Sequence, residues 1–437
     1  MIKVELSEKK SKAQFHLLLK ATRSVLSGLF GSGLPADRVL AAFYRENRQC
    51  GSRDRALINN SIYTLLRHWG WVRQLSGKEL ASAIENNNAA LSNRDLGAMI
   101  FFALAASGSH PSRTRQAADF LELDLPQLPS ASRPVQRARE AALLLGIDMC
   151  FDTRDLLPKW AEKRLYLPYG ESILNRPPMW LRLNTSHREE TLAELRQAGI
   201  EYTSINEFPE ALAISDQTVN LMLLDSFKKG AFEVQDLASQ AIAAFCAPQK
   251  GERWFDPCAG AGGKTLALAE AMGRTGTVTA GDIREKVLIE LRKRARRAGY
   301  PNIQIHAHNG KPWRNLKPFD GVLIDAPCSC SGVWRRNPGN PWILTPKMVT
   351  EHAALQLEIL KNFAGCVKVG GKVIYATCSA FAEENEEVIQ AFLAADDRFE
   401  SVPAIDPFTG KTGSGFMRVP ENYNCDRMFA AALERKK

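Results

Sequence analysis

Two passages of the chain run an apolar stretch straight into a thiol: FDGVLIDAPCSCSG (residues 319–332) and GGKVIYATCSAFAEENE (370–386), which place Cys328 and Cys378 just beyond predicted strands. A thiolate is a strong nucleophile, but a free thiol with a pKa of about 8.5 is only a few per cent ionised near neutrality, so such a group needs local activation. A third passage, RWFDPCAGAGGKTLALAEAMG (253–273), reads as a strand, a loop of small residues and a helix. Backbone N–H groups at Gly262, Gly263 and Lys264 can then face a ligand at the helix start.

Two nucleotide readings of this third loop fail on the letters. A Walker A loop needs glycine where Cys258 stands, and a dinucleotide fingerprint needs glycine where Thr265 stands. Asp282 ends the next strand, 22 residues after Gly260, where a carboxylate can accept both hydroxyls of a ribose. An adenosine without a pyrophosphate suits this combination, which points to S-adenosylmethionine; a tight turn with a solvated Asp282 is the alternative on this loop alone. A thiol beside a methyl donor has a specific use. Carbon 5 of a pyrimidine attacks a methyl group poorly until a thiolate adds at C6 and turns the ring into an enamine. Asp325, paired with the N3/N4 edge of the base, would select cytosine.

The elements that must position these residues are legible as well. Beyond Ala231 the runs RWFD, TVTAGDI, FDGVLIDAP and GGKVIYAT alternate with charged helical stretches, which predicts a doubly wound, mostly parallel sheet with its loops on one rim. MWLRLN, HREETLAELRQAG and IEYTSIN (179–206) read as strand, helix, strand in a small α+β unit. Upstream the pattern is helical. Phe15, Leu18, Leu19, Val25, Leu26 and Leu29 share one face, and Ile58, Ile62, Leu65, Leu66 and Trp69 share another behind Ser52 as the expected helix cap. The Pro/Ser-rich LPQLPSASRP (125–134) reads as a connection near a boundary.

Composition sets the frame. The 437 residues are 45% hydrophobic and 24% charged, which excludes wholesale disorder, collagen and coiled coil. The net charge is +9, of which residues 1–150 carry +7, a lean toward anionic partners such as RNA. Nine cysteines without paired spacing suggest a reducing compartment, and the start MIKVELSEKKSKAQ has no apolar core of signal-peptide length, so a cytoplasmic location is expected. No uncharged apolar stretch approaches a membrane span. Cys330 follows Cys328 by two residues, but a zinc site would need further ligands at suitable spacing, and His306 and His308 form no matching pair, so no metal is expected.

DPCAGAGGKT, LIDAPCS followed by GVWRRNP, and YATCS followed by EENE together resemble the NOL1/NOP2/Sun family of RNA cytosine-5 methyltransferases. GSRDRALINNSIYTLLRHWGW (51–71) resembles the NusB-like helical domain of the bacterial Sun/Fmu-type small-subunit rRNA enzymes, and the MWLRLN segment is similar to their small linker domain. The resemblance implies three parts: a NusB-like RNA-binding domain with linker over 1–150, a small α+β domain over 151–235, and a Rossmann-like methyltransferase domain over 236–437. It implies Cys378 as the nucleophile on C6 and Cys328 as the group that helps remove the C5 proton. Cys258, Ala259, Gly260, Ala261, Gly262, Gly263, Lys264, Asp282 and Asp325 would line the cofactor site, with Lys264 near the methionine carboxylate. Asn309, in HAHNG (306–310), stands where relatives often carry an aspartate near the adenine, and the loop reads CAGAGGK where CAAPGGK is common. CDRMFAAAL replaces an Asp-Gly-Phe-Phe run in a strand that should persist.

Arg335 and Arg336, directly after the first cysteine loop, are expected to contact RNA, and Trp334 either stacks on a base or packs. The basic run 284–299 is expected mainly as a solvated helix face. The chain is expected to act as a monomer on RNA, ribosomal RNA above all. Two alternatives stay open. DNA cytosine-5 methyltransferases use the proline-cysteine loop, here Cys328, as nucleophile, whereas an RNA-binding ribosome assembly factor with a decayed site would be expected to have lost Asp325, Cys328 or Cys378.

Overall fold

The computed structural model describes residues 8–86, 91–125, 127–216 and 218–437. Residues 1–7, the first half of the MIKVELSEKKSKAQ start, and Pro126 of the Pro/Ser-rich passage lie outside them. The chain divides into two compact units, one of residues 1–176 with 334–344 and one of residues 177–333 with 345–437.

The first unit is helical: α1 (Glu8–Ser32), α2 (Ala36–Glu46), α3 (Ser52–Arg67), α4 (Trp69–Leu75), α5 (Lys78–Glu85), α6 (Asn93–Ser107), α7 (Pro111–Leu121), α8 (Pro134–Leu144) and the short α9 (Lys159–Glu162). The apolar faces read from the sequence are its core, with Phe15, Leu19, Leu29, Ile58, Leu65 and Trp69 all buried. One detail differs. Ser52 is the first residue of α3 rather than its cap; Gly51 takes the cap position, and the Asp54 carboxylate accepts the Gly51 N–H at 3.1 Å.

The passage 125–134 interrupts the helices without ending the unit, because α8 buries Ala138, Ala141 and Ala142 and packs on α6. Residues 151–176 stay with the helices too: the Phe151 ring lies 5.6 Å from Trp71, whose indole N–H donates to the Asp152 carbonyl at 2.7 Å. The segment expected as one α+β domain over 151–235 is therefore divided at 176 by its packing. Trp334 is fully buried in this unit, its ring stacked 5.9 Å from Tyr169, which decides for packing over base stacking.

The second unit begins with β1 (Met179–Leu183), α10 (Arg188–Gln197), β2 (Thr203–Ile205), β3 (Phe208–Ile214), α11 (Asp225–Lys228) and β4 (Phe232–Val234). These strands form an antiparallel sheet in the order β2-β3-β1-β4. Then come α12 (Leu237–Cys246), β5 (Arg253–Asp256), α13 (Gly263–Ala271), β6 (Thr277–Asp282), α14 (Glu285–Ala298), β7 (Ile303–Ala307), β8 (Phe319–Asp325), α15 (Pro346–Phe363), β9 (Val367–Thr377), α16 (Glu386–Ala395), β10 (Phe399–Ser401), a small β11 (Ala404–Ile405) and β12 (Thr412–Gly413) pair, β13 (Phe416–Arg418) and β14 (Phe429–Arg435). The large sheet runs β10-β14-β9-β8-β5-β6-β7, with β13 also on β14.

Strands β7 to β9 of that order pair in parallel and β14 is antiparallel to β9. The inner strands are apolar runs because both faces are covered. From β5 the chain steps to β6 on one side, while β8 lies on the other. The crevice beyond the carboxyl ends of β5 and β8 is thus a topological switch point, where ligands of such sheets bind. No helix among the described residues is long and apolar enough to cross a membrane.

Candidate active site

Four strand ends meet at that crevice. β5 leads into residues 257–262, β6 ends on Asp282, β8 on Asp325 and β9 on Thr377, one residue before Cys378. Gly260 and Gly262 hold left-handed backbone (φ +53° and +87°), a conformation glycine adopts without penalty, and this turns the loop sharply into α13. Because the N-cap of α13 is Gly262, no side chain caps the first amides of that helix, which leaves N–H groups for an anion.

Asp282 is nearly buried, at 5% side-chain exposure. Its Oδ2 accepts the Gly260 N–H at 2.9 Å and its Oδ1 the Arg284 N–H at 2.8 Å, while the Arg284 guanidinium adds a two-pronged bond at 3.0 Å. Burial opposes the charge on Asp282, but these bonds outweigh it and hold the carboxyl below its usual range. Arg284, which the sequence reading passed over, therefore sits where ribose hydroxyls were expected. His308 pins the end of β7 to the loop, with its Nε2 2.8 Å from the Pro257 carbonyl oxygen, and Asn309 next to it is exposed.

Lys264 does not stand free. Its ammonium pairs with Asp325 at 2.7 Å, so the residue expected near the methionine carboxylate is joined to the one expected on the base edge. Burial lowers the tendency of Lys264 to carry its charge, and Asp325 reverses this, leaving its pKa raised. Beneath them the fully buried Asp256 accepts a bond from the Thr265 hydroxyl at 2.7 Å. Burial pushes Asp256 up to about 7, with Thr265 opposing the rise and the charge of Asp325 adding to it.

The structure brings the two cysteine loops together. Cys328 Sγ and Cys378 Sγ are 3.3 Å apart, and Cys330 Sγ lies within 4.8 Å of both. Hydrogen bonds within the cluster let one sulfur carry a charge at the others' expense: Cys330 is lowered by bonds from Cys328 and Cys378, while Cys328 and Cys378 are raised. The Lys264 charge also interacts with that of Cys378.

A buried polar network, which sequence reasoning missed, fixes this contact. Glu384 accepts the Ser329 N–H at 2.8 Å and the Gln356 amide at 3.0 Å, and takes hydroxyl bonds from Ser329 and Ser379, the residues that follow Cys328 and Cys378. Ser331 joins through Ser379 and the Ala380 N–H. The Gly332 N–H donates to the Cys378 carbonyl at 2.8 Å, and a Cβ at Gly332 would stand 2.0 Å from the Arg427 carbonyl oxygen, so the approach needs glycine. The serine after each cysteine and the EENE run were the available signals.

Arg335 and Arg336 lie in the segment that packs with the helices. The Arg335 guanidinium donates to the Asn175 carbonyl at 2.9 Å, and the Arg335 carbonyl accepts a bond from Arg67. The basic run on α14 is split, since Arg294 and Arg297 turn onto the buried Glu233.

Comparison with known proteins agrees with this architecture. Residues 243–434 match the family described as 16S rRNA methyltransferase RsmB/F, and residues 157–220 match the ferredoxin-like domain described for RsmF/B-like methyltransferases. Ribosomal RNA small subunit methyltransferase B of Klebsiella pneumoniae subsp. pneumoniae is 31% identical over 363 residues, covering 79% of this chain and 83% of that protein. The protein of the same name from Salmonella arizonae is 31% identical over 406 residues, covering 89% and 92%. Among solved structures, PH0851 superposes with a TM-score of 0.70 at 23% identity over 95% of this chain and 99% of that one. NSun6 from Pyrococcus horikoshii gives 0.54 at 20% over 61% and 93%. At these identities the two structures speak for the fold. With a relative 31% identical over 89% of this chain and 92% of its own length, and residues 243–434 matching across the large sheet, the chain belongs to the RsmB/F family of 16S rRNA methyltransferases.

Proposed function

We propose that the protein transfers a methyl group to C5 of a cytosine in small-subunit ribosomal RNA through a covalent bond between Cys378 and C6. The methyl donor is S-adenosylmethionine. The observation that carries the covalent mechanism is the 3.3 Å contact between Cys328 and Cys378 at the ends of adjacent parallel strands, beside Asp325.

The residues present fit the donor. A Cβ on Gly260 would meet only the tip of Arg284, so the loop 258–263 offers its main chain to a ligand, the uncapped start of α13 suits a carboxylate, and Asp282 suits a ribose once Arg284 yields. Bound there, the donor supplies an electrophilic methyl group. The rest is done by side chains. The target base leaves its stack to reach the cleft. The sulfur of Cys378, as its thiolate, adds to C6. Asp325 bonds the N3/N4 edge as C5 becomes nucleophilic. After methyl transfer Cys328 takes the C5 proton, and the Cys378–C6 bond breaks to release 5-methylcytosine.

The test is trapping with RNA containing 5-azacytosine or 5-fluorocytosine. Cys378→Ala is expected to abolish both adduct and methylation, while Cys328→Ala accumulates the adduct on ordinary RNA. An adduct that survives in Cys378→Ala and is lost in Cys328→Ala overturns the assignment and favours the DNA-type mechanism.

A further inference from the structure

We propose that Cys328, Cys330 and Cys378 form a binding site for a thiophilic closed-shell cation, with Zn2+ as the fitting ion, and that its occupancy silences the enzyme. The zinc reading of Cys328 and Cys330 fails on sequence spacing, since no matching pair lies nearby. The fold supplies the third thiol from the next cysteine loop.

All three sulfurs lie within 4.8 Å of one another, one pair at 3.3 Å. Thiolates around a tetrahedral zinc at about 2.3 Å stand roughly 3.8 Å apart, so shifts of about 1 Å or less complete three corners and leave the fourth to water. An all-sulfur donor set selects soft ions over Mg2+ or Ca2+. Cys330 is the residue that makes a site of a pair. It holds left-handed backbone at φ +56°, a conformation that disfavours side chains, and its thiol, which donates to the Cys328 carbonyl at 3.4 Å, lies within 4.8 Å of the other two sulfurs, while the proposed methyl transfer assigns it no bond to the base.

The ligands are held in place beforehand. Glu384 and the serines beside Cys328 and Cys378 fix both loops. Lys264, whose charge would oppose a cation, is already paired with Asp325 at 2.7 Å. Binding balances simply: three sulfurs and one Zn2+ give a tris-thiolate complex, and each sulfur that enters as a thiol releases its proton to solvent. A sulfur bound to zinc is not available to C6. That inhibition rests on Cys378 as the nucleophile, whereas the binding itself does not.

The experiment uses the full chain, kept reduced with a phosphine. Zn2+ affinity is read by competition with a chromophoric chelator, and Cd2+ binding by thiolate charge-transfer absorption. One ion per chain is expected, with methylation lost on occupancy and restored by chelator. Cys330→Ser is expected to weaken binding by at least about ten-fold, comparable to or beyond the loss from disturbing a ligand's outer partners. The same variant, its rate compared with its own metal-free rate, should resist Zn2+ concentrations that silence the parent. Binding of equal strength in Cys330→Ser, or no one-to-one Zn2+ and Cd2+ binding in the parent, overturns the proposal. An absence of methylation in metal-free buffer would instead tell against the proposed reaction, because the absorption readout needs no activity.

Discussion

Asp282 and Arg284 set up a competition that decides how the donor is held. The four bonds from Gly260 and Arg284 use the acceptor positions of the carboxylate, so ribose hydroxyls must displace the guanidinium. Asp282→Asn is therefore expected to weaken donor binding by roughly 10–100-fold, the worth of a charge-assisted bond or two, whereas Arg284→Ala should bind at least as tightly as the parent. Calorimetric titration with S-adenosylmethionine checks both; weaker binding in Arg284→Ala would make that residue a contact instead of a competitor. Asp256 gives a second expectation at this scale. Its folded pKa of about 7 lies above the ordinary 3.8, so the native state holds this proton more tightly than the unfolded chain, and its contribution to stability declines as pH rises from about 4 to about 7. Thr265, Asp325, Lys264, Cys246 and Cys258 face it; burial keeps both thiols protonated through that range, and the Lys264 charge persists. Asp256→Asn should flatten the decline, which thermal melts from pH 4 to 7 would record as a difference on the order of a few kcal/mol. Cys328, Cys378, Asp325 and Asp282 stand out in the sequence as candidates, because thiols and carboxylates directly at the ends of apolar runs are conspicuous by type. Arg284 was not, since an arginine two places after an aspartate reads as solvent-facing until the carboxylate is seen to be nearly buried.

At the scale of elements, the two cysteine loops act as one body through Glu384. Glu384→Ala would leave the Ser329 N–H and the Gln356 amide without their acceptor in a buried site, at a cost of about 3 kcal/mol or more, and would loosen the 3.3 Å sulfur contact. Urea unfolding checks the stability, and the rate of adduct formation checks the contact. Glu384→Gln, which keeps the shape but brings an unwanted donor toward the serine hydroxyls, should fall between. Buried parallel strands announce themselves as apolar runs, so β5, β6, β8 and β9 could be placed from the sequence and the rim with them. The network could not be. Serine and glutamate are ordinary surface residues, and nothing in CSCSG or CSAFAEENE says that all four polar partners turn inward. The α3 start shows the same limit in small: Ser52 fits a cap by type, but Asp54 reaching back to Gly51 is what the backbone uses.

Across the whole molecule, packing overrides sequence-level boundaries. The small sheet is fastened within the second unit by Glu233 on β4, which is 5% exposed and paired with Arg294 at 3.0 Å and Arg297 at 2.5 Å on α14. Glu233→Ala should take the carboxylate from two partly buried guanidinium groups, leaving Arg294 its bond to the Ala261 carbonyl and Arg297 its place over the Phe227 ring, at a cost of about 1.5–3 kcal/mol in chemical denaturation. The basic run that sequence alone read mainly as a solvated face is thus partly structural. The helical unit was legible from its periodic apolar faces, but its completion by residues 334–344 was not, because that stretch is embedded in the catalytic half of the sequence. That loan carries a consequence for synthesis. On the ribosome the first 176 residues emerge as a helical body still missing Trp334, and the packing around Tyr169 can be completed only after residue 334 has left the exit tunnel. A nascent chain stalled short of residue 334 should remain open to protease at its helices, whereas one extended well past 344 should resist.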